Sequence, residues 1–240
     1  VEHALRLDPD LPEAYEALGG LRMTIDWDWE GAEEAFSRVL ELDPSSATAL
    51  SNLGLLSAAR GDMHDAIRLL EQSQRVDPLS LGSLHNLALV NYFAGNLREA
   101  EAGFREALEF AGGGYTIGHV TLGLVLVEMG RFEEALAEGE KAGAEPFLLA
   151  SRSLALHKLR RSEDADAALE ALIANYGDRF AVPIAGNLAQ RGELDRAMDW
   201  LDRAYAQRDA QLIWSRVHPV NDRLHGFPRY EAFLVRLGLD

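Results

Sequence analysis

Residues 42–78 read LDPSSATALSNLGLLSAARGDMHDAIRLLEQSQRVDP. The stretch opens on Leu42-Asp43-Pro44 and closes on Val76-Asp77-Pro78, and Gly61 divides the two apolar-periodic segments between them. Working outward, Leu7-Asp8-Pro9 stands 35 residues before the first triplet, which the second follows by 34. A small residue keeps the same beat as Ala32, Ala66, Ala100, Ala135, Ala165 and Ala197. Self-similarity with a period of roughly 20–50 residues outranks local propensity, because each unit buries its apolar face only by stacking on its neighbours. Six helical pairs follow from the series, each a helix A, a turn and a helix B.

Within the units the same residue types return. Leu53-Gly54, Gly61, Ala66 and Leu70 serve one; Leu87-Ala88, Gly95, Ala100, Phe104 and Ala107 the next; Leu122-Gly123, Gly130, Ala135 and Ala142 the one after; Ala185, Gly192, Ala197, Leu201 and Ala204 the last. A small residue on helix A facing a small residue on helix B lets the two backbones approach closely. Gly61, Gly95, Gly130 and Gly192 fall where helix A stops, a position that often needs positive φ. Asn96 with Glu99 reads as a capping arrangement at the start of a helix B, and Asp62 with Asp65 as a weaker one; the prolines then end helix B.

In these residues the units resemble the tetratricopeptide (TPR) repeat. The resemblance implies an all-α fold, a right-handed α-α superhelical solenoid of about six helix pairs with a C-terminal capping segment. Residues 1–10 are expected to be the end of helix B of a truncated upstream repeat, residues 11–210 six TPR-like repeats, and residues 211–240 a helical cap in which Tyr230, Phe233, Leu234 and Leu237 form one apolar stripe. Two units depart from the pattern. The first has Asp26-Trp27-Asp28-Trp29 in place of a turn glycine, and the fifth, residues 145–176, is short and turns at Arg160-Arg161.

Composition narrows the function. Of 240 residues, 39 are acidic and 23 are Lys or Arg, a formal charge of −16 that repels phosphate backbones and anionic lipid; nucleic acid is not an expected partner. No cysteine is present, so disulfides and thiolate metal sites are excluded and a reducing, cytoplasmic setting fits. The longest apolar run, Val120 to Met129, is interrupted by Gly123 and Glu128, so no membrane insertion is expected. The opening Val1 to Pro9 has no initiator Met and no signal-peptide pattern, which reads as a fragment of a longer chain.

Signals of chemistry are weak. Gly112-Gly113-Gly114-Tyr115-Thr116-Ile117-Gly118 is glycine-rich like a phosphate loop, yet it follows a helix and lacks a Gly-Lys-Ser/Thr ending, so it reads as a linker. The seven histidines show no metal-binding spacing. Acidic pairs such as Glu33-Glu34 and Glu133-Glu134 sit early in helix B, where the helix dipole favours negative charge. No catalytic residues, metal ligands or cofactor are expected, and the chain is not read as an enzyme.

In a TPR array the A helices line the concave face, so register nominates a peptide-binding groove: Asn52, Leu55, His85, Asn86, Leu89, Tyr92, Phe93, Thr121, Leu124, Leu154 and Lys158. Asn52 and Asn86 share a register position at which TPR proteins that bind extended peptides use asparagine amides on the ligand backbone. An amide both donates and accepts, so two of them can track a chain without reading its sequence. An equal reading is that Asn merely belongs to the repeat pattern there. The lysines and arginines of the chaperone-tail type are missing, and the groove is apolar, which points to a peptide or helix with hydrophobic anchors, from another protein or from the same polypeptide.

Three motifs carry a narrower resemblance: the Asp26-Trp27-Asp28-Trp29-Glu30-Gly31-Ala32-Glu33 turn, the Gly192-Glu193-Leu194-Asp195-Arg196-Ala197 to Arg208-Asp209 helix, and Phe227-Pro228-Arg229-Tyr230 to Leu239. They are similar to the C-terminal TPR regions of bacterial multidomain signalling proteins with class III adenylate cyclase, winged-helix regulator or Ser/Thr kinase domains. That resemblance implies a regulatory or partner-binding role for this part; a free-standing adaptor or a self-associating homodimer module is the alternative.

Overall fold

The computed structural model describes residues 1–240, the side chain of Glu2 excepted. After a short helix α1 (Glu2–Leu7), six helix pairs follow in order: α2 (Pro12–Leu21) with α3 (Trp29–Leu42), α4 (Ala47–Ala59) with α5 (Met63–Val76), and α6 (Leu81–Phe93) with α7 (Leu97–Phe110). The series continues with α8 (Thr116–Glu128) and α9 (Phe132–Lys141), α10 (Glu145–Lys158) and α11 (Ser162–Tyr176), then α12 (Ala181–Gln190) and α13 (Leu194–Ala206). Each pair packs on itself, each B helix on the next A helix, and successive A helices from α2 to α12 on one another, which makes an all-α solenoid without strands among the described residues.

Local chemistry explains the boundaries. Asp28, Ser46, Asp62 and Ser80 each sit at an N-cap and accept the backbone N–H three residues on. The Asn96 cap is not made: its Nδ2 donates to Asn91 Oδ1 instead, so the cap at Asp62, read as the weaker, is the one formed. Gly61, Gly95, Gly130 and Gly192 all take positive φ after helix A. In the fifth pair Arg160 takes φ 60° at the equivalent turn. In the first, a π-helical turn over Arg22–Asp26 ends at Trp27 with φ 56°, and the Trp27 ring is buried. Close approach within a pair is real: a Cβ on Gly54 would lie 2.8 Å from Leu70 Cγ and 3.1 Å from the Ala66 carbonyl.

Beyond α13 the chain turns at Arg208 (φ 55°) and forms two 3-10 turns, Ala210–Trp214 and Pro219–Leu224, before α14 (Pro228–Leu237). Leu212, Ile213, Leu224, Tyr230, Phe233, Leu234, Leu237 and Leu239 are buried in one cluster that also holds Met23, Trp27, Trp29 and Phe36 of the first pair and the core of α12 and α13. Trp29 Nε1 donates to the Leu237 carbonyl at 2.6 Å, and the Trp27 ring lies 4.7 Å from Tyr205. The Arg208 guanidinium covers Trp27 at 4.6 Å and donates to the Ile25 carbonyl at 3.2 Å. The segment covers the last pair and also fastens it to the first.

Candidate functional site in the concave groove

The A helices place the nominated groove residues at different depths. Asn52 and Leu55 on α4, and Asn86, Leu89 and Phe93 on α6, are half-buried, as is Leu124 on α8. Asn86 Nδ2 donates to Ser51 Oγ at 3.0 Å, which ties α6 to α4. His85 is buried between repeats, its ring 5.2 Å from Phe104 and 5.5 Å from Tyr115, and burial lowers its pKa to about 4. Thr121 is buried too and donates back to the Ile117 carbonyl at 2.8 Å, an intrahelical bond that withdraws its hydroxyl from the groove. Tyr92 and Leu154 are buried as well, and Lys158 Nζ donates to Gln190 Oε1 at 2.6 Å.

Much of this burial comes from residues 214–224, which lie along the groove. The Trp214 ring stacks 5.2 Å from Phe93 and joins Leu55 and Leu87 over the core of Ala58, Ala66, Leu70 and Val90. The His218 ring stands 5.6 Å from Tyr92, edge to face, and 5.4 Å from Phe93; its Nδ1 accepts the Val220 N–H at 3.2 Å. Gln190 Nε2 donates to the Val220 carbonyl at 3.0 Å and the Pro219 carbonyl at 3.4 Å. Val220 packs against the cluster built on Leu122, Val125 and Leu126. Trp214, His218, Val220 and Gln190 were not among the nominated residues. The signal was present, since Leu212 to Val220 loses the repeat period yet keeps Leu, Ile, Trp, Val and Pro, as a segment with an apolar bed of its own would.

The polar groups in the groove are crowded. The Tyr92 hydroxyl is buried with no hydrogen-bond partner. Burial pushes the Glu128 carboxyl up, opposed by Lys158 and reinforced by the charge of Asp222; burial likewise raises Asp222. Outside the groove, His119 and Glu138 form a buried pair at 2.7 Å, with His119 Nε2 at 3.1 Å from the Gly113 carbonyl. Gly112 to Tyr115 of the glycine-rich stretch form the turn between α7 and α8, with Gly112 and Gly113 at positive φ, and Thr116 to Gly118 open α8. Among the described residues no group of three or more His, Asp or Glu could hold a metal ion, and no helix is long and apolar enough to cross a membrane.

Residues 28–79 and 80–111 each match a model described as tetratricopeptide repeat. Residues 28–111 are thus similar to tetratricopeptide repeats, and the helix pairs on either side continue the same architecture. The chain is similar to a curated barley (Hordeum vulgare) protein, the probable UDP-N-acetylglucosamine–peptide N-acetylglucosaminyltransferase SPINDLY, at 29% identity over 121 residues, 48% of this chain. The match spans only 13% of that protein's length. Among solved structures, Pseudomonas aeruginosa pilF superposes with TM-score 0.62 at 21% identity, covering 94% of this chain and 97% of its own. TTC0263, a thermophilic TPR protein of Thermus thermophilus, gives 0.63 at 18% identity, covering 78% and 99%. YrrB, described as a TPR protein with an unusual peptide-binding site, gives 0.51 at 18% identity, covering 75% and 93%. These likenesses show a shared solenoid fold.

Proposed function

We propose that the chain is a protein-interaction scaffold whose concave groove takes a peptide segment with apolar anchors. The observation that carries this reading is Trp214 to Val220 lying on the groove as a ligand would: an aromatic ring on Phe93, an imidazole on Tyr92, and two successive carbonyls held by Gln190. A side-chain amide that holds backbone carbonyls accepts many sequences, and pockets for alternate side chains add choice among them. The peptide-binding site named for YrrB lies on the same kind of array and supports the reading. The three signalling-type motifs support a regulatory, partner-choosing role within a larger protein, and the coding sequence before Val1 checks it directly: a cyclase, kinase or winged-helix domain there is expected.

The groove itself is tested by selecting peptides from a displayed random library against the full chain. Selected peptides are expected to weaken about tenfold on replacing Asn52 and Asn86 together by Ala, with helical content unchanged. Unchanged affinity would place the binding surface on the outer face of the B helices.

A further inference from the structure

The segment over the groove has two parts of different character. Its ends are embedded: Leu212 and Ile213 on one side, Leu224 and the α14 stripe on the other, all buried in the main core. Between them, Trp214, Arg216 and residues 217–220 are only half-buried and Asp222 and Arg223 are exposed, so that the stretch is pinned by two buried polar residues, Asn221 and Ser215, whose carbonyl accepts from Asn221 and Tyr230. The backbone makes short 3-10 turns instead of a regular helix. Stability within a protein is uneven, and a stretch with exposed backbone and few buried apolar groups opens at lower cost than the core that anchors it.

One feature shows that this stretch fits its bed imperfectly. It buries the Tyr92 hydroxyl without giving it a partner, and a polar group removed from water and left unpaired is unfavourable. A different segment in the same place could answer the Tyr92 hydroxyl.

We propose that residues 214–223 are a strap occupying the groove as an intramolecular ligand, displaced by a partner segment that carries an aromatic residue and a proline five residues on. The spacing is that of Trp214 on Phe93 and Pro219 on Gln190 in the strap. The anchors stay in place while the strap leaves, so the solenoid keeps its core. Affinity for the partner is then reduced by the fraction of molecules whose strap is closed. This inference rests on the groove reading above and adds its regulation.

The test uses a fluorescent peptide spanning residues 210–226, titrated by anisotropy into the full chain. It is compared with the full chain carrying Trp214→Ala and His218→Ala, and with that loosened chain carrying Phe93→Ala as well. A Val220→Ala chain, which loses the strap's packing on the Leu122 cluster and leaves the groove side chains in place, is a second loosened form. Tenfold or tighter binding to a loosened chain than to the native chain, lost with Phe93→Ala, is the expected result. Hydrogen exchange should show Val217 and Val220 amides losing protection on peptide binding while those of α14 keep theirs. Equal affinity for native and loosened chains would overturn the strap and leave the groove standing; no binding to any form of retained helicity would overturn both.

Discussion

Trp29 and Leu237 are 208 residues apart in sequence and share a hydrogen bond of 2.6 Å, indole N–H to carbonyl, inside the largest core cluster of the molecule. The bond sits where the first helix pair meets α14, beside Trp27, Tyr205 and Arg208. It makes the array continuous at a place where repeat proteins usually have two independent ends.

Trp29→Phe keeps an aromatic ring and removes the donor, leaving the Leu237 carbonyl buried. The expected loss is about 1–3 kcal/mol, read from urea unfolding by circular dichroism. Because the first pair and α14 share one core, the whole transition should move, without a separate early phase.

His85 is buried and neutral, held to about 4 against an ordinary value near 6.5. Below pH 6.5 the unfolded chain binds this proton and the folded chain does not, so stability falls as pH falls towards 4, by an amount of the order of 3 kcal/mol. His218, also lowered to about 4 by burial, acts in the same direction. The urea midpoint should drop between pH 7 and 4.5 in the native chain and drop less in His85→Phe.

The repeat and its turns were readable because they depend on residue type at fixed spacing. Glycines with positive φ at 61, 95, 130 and 192, and small residues such as Gly54 against Ala66, are local requirements that any TPR-like unit must meet. The exceptions were visible as exceptions too, at Trp27 and Arg160. The state of the groove was not readable in this way. That Tyr92 lies beneath His218, or that Gln190 holds the Pro219 carbonyl, depends on where a non-repeating segment returns in three dimensions, and no period in the sequence encodes that path. His85 illustrates the same limit from the other side, since the register that puts Asn86 towards the groove turns its neighbour inward onto Phe104.

Arg160 is exposed and holds φ 60° where four other turns use glycine. Left-handed backbone costs a residue with a side chain about 1–2 kcal/mol, and glycine gives back part of that gain through a freer unfolded chain. Arg160→Gly should therefore stabilise by roughly 0.5–1 kcal/mol, whereas Arg160→Val should destabilise; thermal melts of the two variants check the sign.

Burial alone would push the Glu138 carboxyl up, but hydrogen bonds from Lys141 and His119 outweigh it and hold it below its ordinary value. Glu138→Gln should cost about 1–3 kcal/mol at pH 7. A carboxyl held low stabilises the fold above its unfolded pKa and loses that contribution as pH falls through the folded one. The gap between Glu138→Gln and the native chain should thus narrow in urea titrations carried below pH 4.5.

The joining of Trp27 and Trp29 to residues near 237 also sets an order in time. Synthesis delivers the first helix pair long before α14, and domains start to fold as they emerge. Met23, Trp27 and Trp29 are buried in the finished molecule against groups that the ribosome has not yet made when they appear. The first helix pair is consequently completed only after α14 has been made, and its aromatic surface stays open until then.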